Sequence, residues 1–199
     1  LKEALAMGAD EAVLLSDRAF AGSDTWATAY TLAEAIRKLG AFDIVLCGKQ
    51  AIDGDTGQVG PGLAVQLGIP ALAYVSRILR VAALPAPGFI EAERVLDEGR
   101  ETLRAALPIL LTVVKDINLP RLSTIADIRR AVHMEIPTWR AADLPGADPA
   151  KLGLDGSPTR VVTICSPPGR PGTVEMIPAD NPGEAAAALV EKILARNIL

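Results

Sequence analysis

The sequence predicts an α/β protein with a mainly parallel sheet, antiparallel additions and a C-terminal arm and helix. Up to residue 75, short apolar runs alternate with segments whose apolar residues recur at helical spacing, a pattern typical of parallel strands joined by helices. Half of the 199 residues are hydrophobic but only 4% are aromatic. The core must therefore consist of aliphatic side chains, as in sheets that helices cover.

Apolar spacing and turn residues define the elements of the first half. The longest predicted helix is capped by Ser23 or Asp24 and ended by Gly40. The strand after it is an apolar run from Ile44 to Cys47 and is predicted to be buried, with Cys47 as a small core residue at its end. In order, the predicted elements are a helix over residues 2–7, a strand over 11–15, a helix over 25–39, a strand over 42–47 and a helix over 61–67.

The second half is predicted to begin with strands that extend the sheet in antiparallel fashion. Residues 97–100 suit a hairpin turn, and Pro108 marks a strand edge or a bulge because proline has no N–H to donate. Residues 109–114 are the most apolar run and are predicted to form a central strand. In order, the predicted elements are strands over 71–82, 89–96 and 101–114, a helix over 123–132, a loop or short helix over 139–157, a strand over 160–165 and a helix over 184–196.

A segment with three glycines joins the strand over 42–47 to the helix over 61–67, and it reads Asp53-Gly54-Asp55-Thr56-Gly57-Gln58-Val59-Gly60. Glycines permit positive φ, and successive free N–H groups form a nest for an anion. The start of the next helix adds free donors and the positive end of its dipole, which stabilise a phosphate. The spacing matches neither the Walker loop nor Gly-x-Gly-x-x-Gly. The segment predicts a nucleotide or phosphate site, with an ordinary strand–helix turn as the alternative.

The polar residues of this segment have more than one possible role. Thr56 could cap the following helix or donate its hydroxyl to a phosphate, and Gln58 can donate an amide N–H. Asp53 and Asp55 would repel a phosphate, so they are interpreted as acceptors that shape the loop or bind ribose hydroxyls. Residues 16–25 form a second loop at the same carboxyl edge of the sheet, and we expect the two loops to face one site.

Charge and composition argue against several classes of function. A net charge of −4 without a long basic run disfavours nucleic acid as a partner. No stretch reaches the roughly 18 apolar residues that direct membrane insertion requires. Cys47 and Cys165 lie far apart and His133 is the single histidine, so we expect neither a metal site nor a catalytic triad. This cysteine usage suits a reducing cytoplasm.

The run GKQAIDGDTGQVGP over residues 48–61, followed by LAxxLGxP, closely resembles the signature of the electron transfer flavoprotein β subunit. It is also similar to the related subunit of nitrogen-fixation electron-transfer systems. Residues 4–10, residues 108–113 and the helical tail look like the same family, so the resemblance extends over essentially the whole chain. It implies the adenine-nucleotide α-hydrolase-like type of α/β fold.

The resemblance implies a division of the chain into two parts. Residues 1–165 would form the nucleotide-binding domain, without the N-terminal strands that the family has. Residues 166–199 would form an arm and helix that pack on a partner subunit. The family's partner-recognition region corresponds to residues 120–135, with Ile125 at its anchor position. The alternative for that region is a surface helix that buries Ile125 and Ile128.

The function implied by the resemblance is electron transfer in the cytoplasm of a bacterium or archaeon, without catalytic residues. The chain would pair with an α subunit that holds FAD, and it would exchange electrons with a flavin-dependent dehydrogenase or a quinone reductase. Residues 19–33, AFAGSDTWATAYTLA, look like the branch whose β subunit binds a second FAD, whereas the mitochondrial-type branch binds AMP. FAD is expected in this subunit, with AMP as the alternative, and two flavins would permit electron bifurcation.

The resemblance also assigns the nucleotide contacts. Asp24, Thr25 and Thr28 would flank a flavin, although Thr25 could instead fill the first helical turn and Thr28 could pack. The remaining contacts are expected on the glycine-rich loop, at Ala51, Asp53, Asp55, Thr56, Gly57, Gln58 and Val59. Two other functions stay open: a stand-alone adenine-nucleotide sensor of the universal-stress-protein type, and a hydrolase of the same superfold, which the single histidine disfavours.

Overall fold

The computed structural model describes residues 1–82, 88–169, 174–177 and 181–196, in two units, Leu1–Arg160 and Val161–Leu199. The helices are α1 (Lys2–Ala6), α2 (Thr25–Leu39), α3 (Val59–Leu67), α4 (Ile125–His133) and α5 (Pro182–Ala195). The strands are β1 (Leu14–Leu15), β2 (Ile44–Gly48), β3 (Ala71–Ala82), β4 (Phe89–Leu96), β5 (Gly99–Ala106), β6 (Ile109–Val113) and β7 (Thr138–Trp139).

The main sheet has five strands in the order β2-β6-β3-β4-β5. The first three strands are parallel, and β4 and β5 continue the sheet in antiparallel fashion. This arrangement confirms the predicted α/β class with antiparallel additions. The strand β6 lies between β2 and β3, and Ile109, Leu110 and Leu111 are fully buried, so the prediction of a central strand there is also confirmed.

Two aliphatic clusters form the core around this sheet. In one, Ala29 and Ala33 of α2 pack with Leu63 of α3 and Leu110 of β6. Small residues bring the two helices together, because a Cβ atom at Gly62 would lie 3.3 Å from the Cβ of Ala29. The second cluster contains Val75, Ile90, Ala92, Ile109 and Leu111. The sheet, α2 and α3 therefore form a fixed base for the loops at the carboxyl ends of the parallel strands.

The hairpin of β4 and β5 matches the prediction closely. Leu96 pairs with Gly99, which leaves Asp97 and Glu98 as a two-residue turn. Cross-strand ion pairs line the hairpin, with 2.7 Å between Arg94 Nη2 and Glu101 Oε2 and 2.7 Å between Arg100 Nη1 and Glu93 Oε1. The predicted strand over residues 101–114 is two strands, because Pro108 has no N–H for the ladder and the chain turns there from β5 into β6.

Three other sequence-based expectations were wrong. β1 contains two residues, not five, and pairs in parallel with β7 in a separate two-stranded sheet, so Trp139 lies in a strand and not in a loop. Within the described residues β2 is an edge strand, and Leu46 is 59% exposed although the strand was expected to be buried. The segment over residues 160–165 is not a strand, and Val161, Val162 and Ile164 are exposed.

The unit Val161–Leu199 contains α5, which begins after Asn181, whose side chain accepts a hydrogen bond of 2.9 Å from the N–H of Gly183. Glu175 pairs with Lys192 of this helix, and its carboxylate lies 3.8 Å from the guanidinium of Arg196. The hydrogen bond and charge of Lys192 hold the pKa of Glu175 below its ordinary value.

In the described part of the chain, no helix has the length and apolar character to cross a membrane.

Candidate nucleotide-binding site

The glycine-rich loop leaves the carboxyl end of β2 and folds back on itself. The N–H of Lys49 donates to the carbonyl of Val113 at 2.9 Å, which extends the β2–β6 ladder one residue beyond the strand. The N–H of Asp55 donates to the carbonyl of Ala51 at 2.9 Å, and the carboxylate of Asp55 accepts a hydrogen bond from the side chain of Gln50. Asp55 therefore shapes the loop, which is one of the two roles that the sequence left open for it.

Two residues of the loop have left-handed backbone conformations. The φ angles are +49° at Asp55 and +62° at Gly57. Aspartate and glycine are the residue types that tolerate this region. Left-handed residues in a turn are typical of loops that bind an anion with backbone N–H groups.

The loop and the start of α3 enclose a cleft of about 440 Å³, within the range of about 300–1,000 Å³ that small-molecule sites usually have. Six of the predicted contacts line it, namely Ala51, Asp55, Thr56, Gly57, Gln58 and Val59. Leu32, Cys47, Gly48, Lys49, Gln50, Gly54 and Gly60 line it as well. Asp53 is exposed outside this lining.

The amino-terminal end of α3 faces this cleft without a side-chain cap in the described part of the chain. The helix begins at Val59 with Gln58 as its N-cap residue, so the interpretation of Thr56 as the cap is wrong. Thr56 lies two residues before this N-cap residue and lines the cleft, so the role of its hydroxyl as a donor to phosphate stays a prediction. Free N–H groups at a helix start fit a phosphate, because they supply donors and a positive partial charge.

Gly60 sets the distance between α3 and the sheet. A Cβ atom at this position would lie 2.5 Å from Cγ2 of Thr112 in β6. Thr112 is itself buried and its hydroxyl accepts a hydrogen bond of 3.1 Å from the N–H of Tyr74. Only glycine lets the helix start come this close to the strand. The position of the free N–H groups is therefore fixed by packing.

The second predicted loop meets the first at Thr25. The hydroxyl of Thr25 donates to Oε1 of Gln58 at 3.1 Å. This hydrogen bond joins the start of α2 to the start of α3. No residue of the loop over 16–25 lines the cleft of the glycine-rich loop, so it stays a prediction that the two loops face one site. Because the amide oxygen of Gln58 is the acceptor, its NH₂ group stays available to donate to a ligand.

Asp24 caps α2 with one carboxylate oxygen and binds Thr159 with the other. Oδ1 accepts from the N–H groups of Trp26 and Ala27 at 2.9 and 3.0 Å, and Oδ2 accepts from the N–H and hydroxyl of Thr159 at 3.0 and 2.9 Å. Burial alone would raise the pKa of Asp24, but the hydrogen bonds from Ala27, Thr159 and Trp26 outweigh it and hold the pKa below its ordinary value. Asp24 thus positions the start of α2, and its contact with a flavin stays a prediction.

We expect Asp24→Ala to lower the free energy of unfolding by about 0.5–2 kcal/mol, the usual effect of losing an N-cap. Asp24→Asn keeps an oxygen acceptor and should lose less. Because the folded-state pKa is depressed, the carboxylate stabilises the fold above its unfolded pKa, and this stability disappears as the pH falls through the folded pKa. Melting temperatures between pH 2 and 7 would test this, and an equal acid slope in Asp24→Asn and the unaltered protein would contradict it.

Thr28 is half-buried in the first turn of α2 outside the cleft lining, and its N–H donates to the carbonyl of Asp24 at 3.0 Å. This position suits the alternative in which Thr28 packs, and its contact with a flavin stays a prediction. Cys47 packs against the first core cluster, as expected, and it also lines the cleft; burial raises the pKa of its thiol. Sequence reasoning also missed Lys49 and Gln50, although their position directly after a parallel strand was a signal for them.

The helix α4 presents a second surface that the sequence singled out. The hydroxyl of Thr124 accepts a hydrogen bond of 3.1 Å from the N–H of Asp127, whose carboxylate in turn accepts from the N–H of Thr124. Ala131 packs on Leu5 and Ala6 of α1. Ile125 is 87% exposed, so the alternative in which it is buried on one face of the helix is wrong. Leu119, Leu122, Ile128 and Val132 are exposed beside it.

Comparison with known proteins adds a family assignment. The family model of the electron transfer flavoprotein domain matches residues 1–144. An electron transfer flavoprotein subunit beta from Megasphaera elsdenii is 46% identical over 206 residues, which cover 100% of this chain and 74% of that protein. Subunit CarD of a caffeyl-CoA reductase-Etf complex from Acetobacterium woodii is 44% identical over 199 residues, covering 100% of this chain and 73% of CarD.

A third relative is a FixA protein. Protein FixA from Bradyrhizobium diazoefficiens is 44% identical over 197 residues, which cover 97% of this chain and 67% of FixA. The resemblance to electron transfer flavoprotein β subunits and their nitrogen-fixation relatives is therefore confirmed over the whole chain. This chain belongs to the electron transfer flavoprotein family, among the β subunits and the FixA and CarD proteins.

Proposed function

We propose that this β-type electron-transfer subunit binds FAD in the cleft of the glycine-rich loop and pairs with an α subunit that holds a second FAD. The observation that carries the proposal is the uncapped start of α3, which opens into a cleft of about 440 Å³. The FAD would supply the redox chemistry, and the protein would supply its position and electrostatics.

Different residues of the cleft would bind different parts of the nucleotide. The N–H groups at the start of α3, the hydroxyl of Thr56 and the free amide NH₂ of Gln58 would hold phosphate oxygens. Asp55 keeps the loop closed through Gln50. Asp53 is exposed and could accept from a ribose hydroxyl. No step requires a side chain to act as acid, base or nucleophile.

The segment over residues 19–33, whose sequence resembles the FAD-binding branch, favours FAD over AMP in this site. The hydrogen bond between Thr25 and Gln58 ties this segment to the glycine-rich loop. With one flavin in each subunit the complex would be able to bifurcate electrons between two acceptors. The relative from Acetobacterium woodii is named as a subunit of a reductase-Etf complex, which supports a larger assembly of this kind.

The nucleotide content of the purified complex tests this proposal. The full-length protein would be produced with its α subunit and denatured, and the released FAD and AMP would be measured per heterodimer. We expect two FAD and no AMP. One FAD with one AMP would contradict the flavin in this subunit, and a folded monomer that retains ATP would favour the stand-alone sensor.

Gly57→Ala should reduce nucleotide retention. The φ angle of +62° strains any residue with a Cβ atom, although the nearest atoms, Oε1 of Gln50 and the carbonyl oxygen of Lys49, are 3.7 Å away. Gly68→Ala is a matched control, because Gly68 ends the same helix with φ +70° and has nothing within 4 Å. We expect a similar loss of stability in both, about 1–2 kcal/mol, but loss of nucleotide in Gly57→Ala alone. Equal nucleotide content in the two variants would exclude the loop as the site.

We propose that the exposed side chains around Ile125 dock the partner dehydrogenase or quinone reductase. An apolar side chain that is 87% exposed at the start of a capped helix is suited to fill a pocket of a partner. We expect Ile125→Ala to raise the KM of the partner for the carrier about tenfold. Val65→Ala, which removes another exposed apolar side chain from α3, should leave this KM unchanged. An unchanged KM in Ile125→Ala would contradict the docking role.

The arm and the location of the protein stay predictions. The exposed apolar residues Val161, Val162 and Ile164 support an arm that the α subunit covers. Hydrogen exchange of these residues should slow when the α subunit is added, and unchanged exchange would contradict this arrangement.

A cytoplasmic location in a bacterium or archaeon is proposed from the family and from the two widely separated cysteines.

A further inference from the structure

The strand β3 is irregular at Tyr74. Its register against β6 shifts between Leu72 and Val75. Tyr74 has φ +62°, and among the described non-glycine residues only Asp55 shares a positive φ. An aromatic residue in this region is strained by roughly 1–3 kcal/mol. Such strain persists where neighbouring contacts enforce it, and the hydrogen bond of 3.1 Å from the Tyr74 N–H to Oγ1 of Thr112 does so here.

The bulge places the ring of Tyr74 at the carboxyl edge of the parallel strands. The ammonium of Lys49 lies 4.9 Å from the centre of this ring. A second cleft of about 420 Å³ opens here, which we term the Tyr74 cleft. It is lined by Lys49, Tyr74, Val95, Leu96, Asp97, Val114 and Asp116. Lys49 also lines the cleft of the glycine-rich loop, so one side chain borders both spaces.

The lining of the Tyr74 cleft suits a flat aromatic ring with a polar edge. Tyr74 is partly exposed and offers a face for stacking. Lys49 forms no ion pair within the described residues, so its charge is available to a carbonyl acceptor. Asp97 and Asp116 are acceptors for ring N–H groups or for hydroxyls. An isoalloxazine ring has such an edge, with carbonyl oxygens on both sides of an N–H group.

We propose that the Tyr74 cleft receives the isoalloxazine ring of a flavin whose phosphates lie on the glycine-rich loop. Tyr74 stacks on the ring, and Lys49, between the two clefts, donates to its carbonyl edge. This assignment rests on the proposed FAD site, and it adds the residues that distinguish FAD from AMP. AMP would use the loop without reaching Tyr74.

The test compares affinities for FAD and AMP in the nucleotide-free heterodimer. We expect Tyr74→Leu to weaken FAD binding about tenfold, because a stacked aromatic pair is lost, and to leave AMP binding within about twofold. Tyr74→Phe should retain FAD affinity. The fluorescence of bound flavin, which a stacked tyrosine quenches, should rise in Tyr74→Leu.

Two further variants separate the loss of the Tyr74 ring from a general loss of folding. Tyr74→Gly removes the ring and also relieves the positive φ, so it should fold even if Tyr74→Leu does not, and FAD should still bind about tenfold more weakly. Phe89→Leu removes another ring of the same sheet, which contacts the guanidinium of Arg104 at 3.6 Å outside both clefts, and should change neither affinity.

The outcomes separate this assignment from the proposed function. Unchanged FAD affinity in Tyr74→Leu and Tyr74→Gly overturns the assignment and leaves FAD binding intact. Equal weakening of FAD and AMP also overturns it, because the effect would then be structural. An unaltered heterodimer that binds AMP but not FAD in this subunit overturns the proposed FAD site and the assignment together.

Discussion

Gly60→Ala is expected to lower the free energy of unfolding by about 1–3 kcal/mol, the usual cost of overpacking a core. The new methyl group would lie 2.5 Å from Cγ2 of Thr112, and Thr112 cannot move away easily because it is buried and its hydroxyl is bonded to the Tyr74 N–H. The start of α3 must therefore shift outward from the sheet. Urea unfolding followed by the fluorescence of the two tryptophans measures the change.

A second substitution tests whether the contact with Thr112 causes the loss of stability in Gly60→Ala. Thr112→Ser removes Cγ2 and keeps the hydroxyl that Tyr74 uses. In the Thr112→Ser background, Gly60→Ala should cost about 1 kcal/mol or less, so the double variant would be more stable than the sum of the single effects predicts. Additive effects would show that the contact with Thr112 is not what requires glycine at this position. We also expect weaker nucleotide binding in Gly60→Ala, because the donors at the start of α3 move.

The largest expected loss of stability is that of Leu110→Ala, about 2–5 kcal/mol. Leu110 is fully buried in the central strand β6 and packs with Ala29 and Ala33 of α2 and with Leu63 of α3. Its removal leaves a cavity between the sheet and both helices. Because neighbouring strands and helices hold this region on both sides, it can collapse only in part, and most of the cavity cost remains.

Leu46→Ala provides the matched control for this prediction. Leu46 lies on the neighbouring strand β2 but is 59% exposed, so the same truncation should change the free energy of unfolding by about 0.5 kcal/mol or less. Comparable losses in the two variants would mean that the exposed edge at β2 is covered in solution. Unfolding curves in urea with unchanged m-values would show that the substitutions change stability without changing the surface exposed on unfolding.

The spacing of apolar residues predicted those elements that depend only on residues within their own segment of the chain. The helix α2 runs over Thr25–Leu39 as expected, because its apolar stripe, its cap and its terminal glycine lie within the segment itself. The hairpin of β4 and β5 was predicted for the same reason, since a short turn fixes its register. The class of the sheet followed from the alternation of strands with helices.

Elements that depend on distant partners were not predicted. The pairing of Leu14 with Thr138 joins residues far apart in the chain, and neither segment carries a signal for the other. Val161, Val162 and Ile164 form an apolar run that resembles a strand, but no ladder forms there. An apolar run predicts that its side chains are buried, but it does not identify the segment or subunit that buries them.

The candidate site shows the same limit. Glycine-rich spacing identified the loop, and the resemblance added Thr25, which the hydrogen bond to Gln58 brings to it. The position of Tyr74 could not be foreseen, because a tyrosine in a β-branched and aromatic run predicts a regular strand with negative φ. Its conformation follows from a contact with Thr112, which lies on another strand.

The hairpin that ends the main sheet also bears on how copies of this protein behave at high concentration. β5 is the outermost strand of the sheet in the described residues, and its outward backbone groups could recruit a strand from another molecule. Arg100, Glu101 and Arg104 lie along it, exposed or half-buried in pairs with β4. A strand added from another copy would have to desolvate these charges. The open side of the sheet is therefore protected against edge-to-edge polymerisation by the same ion pairs that align the hairpin.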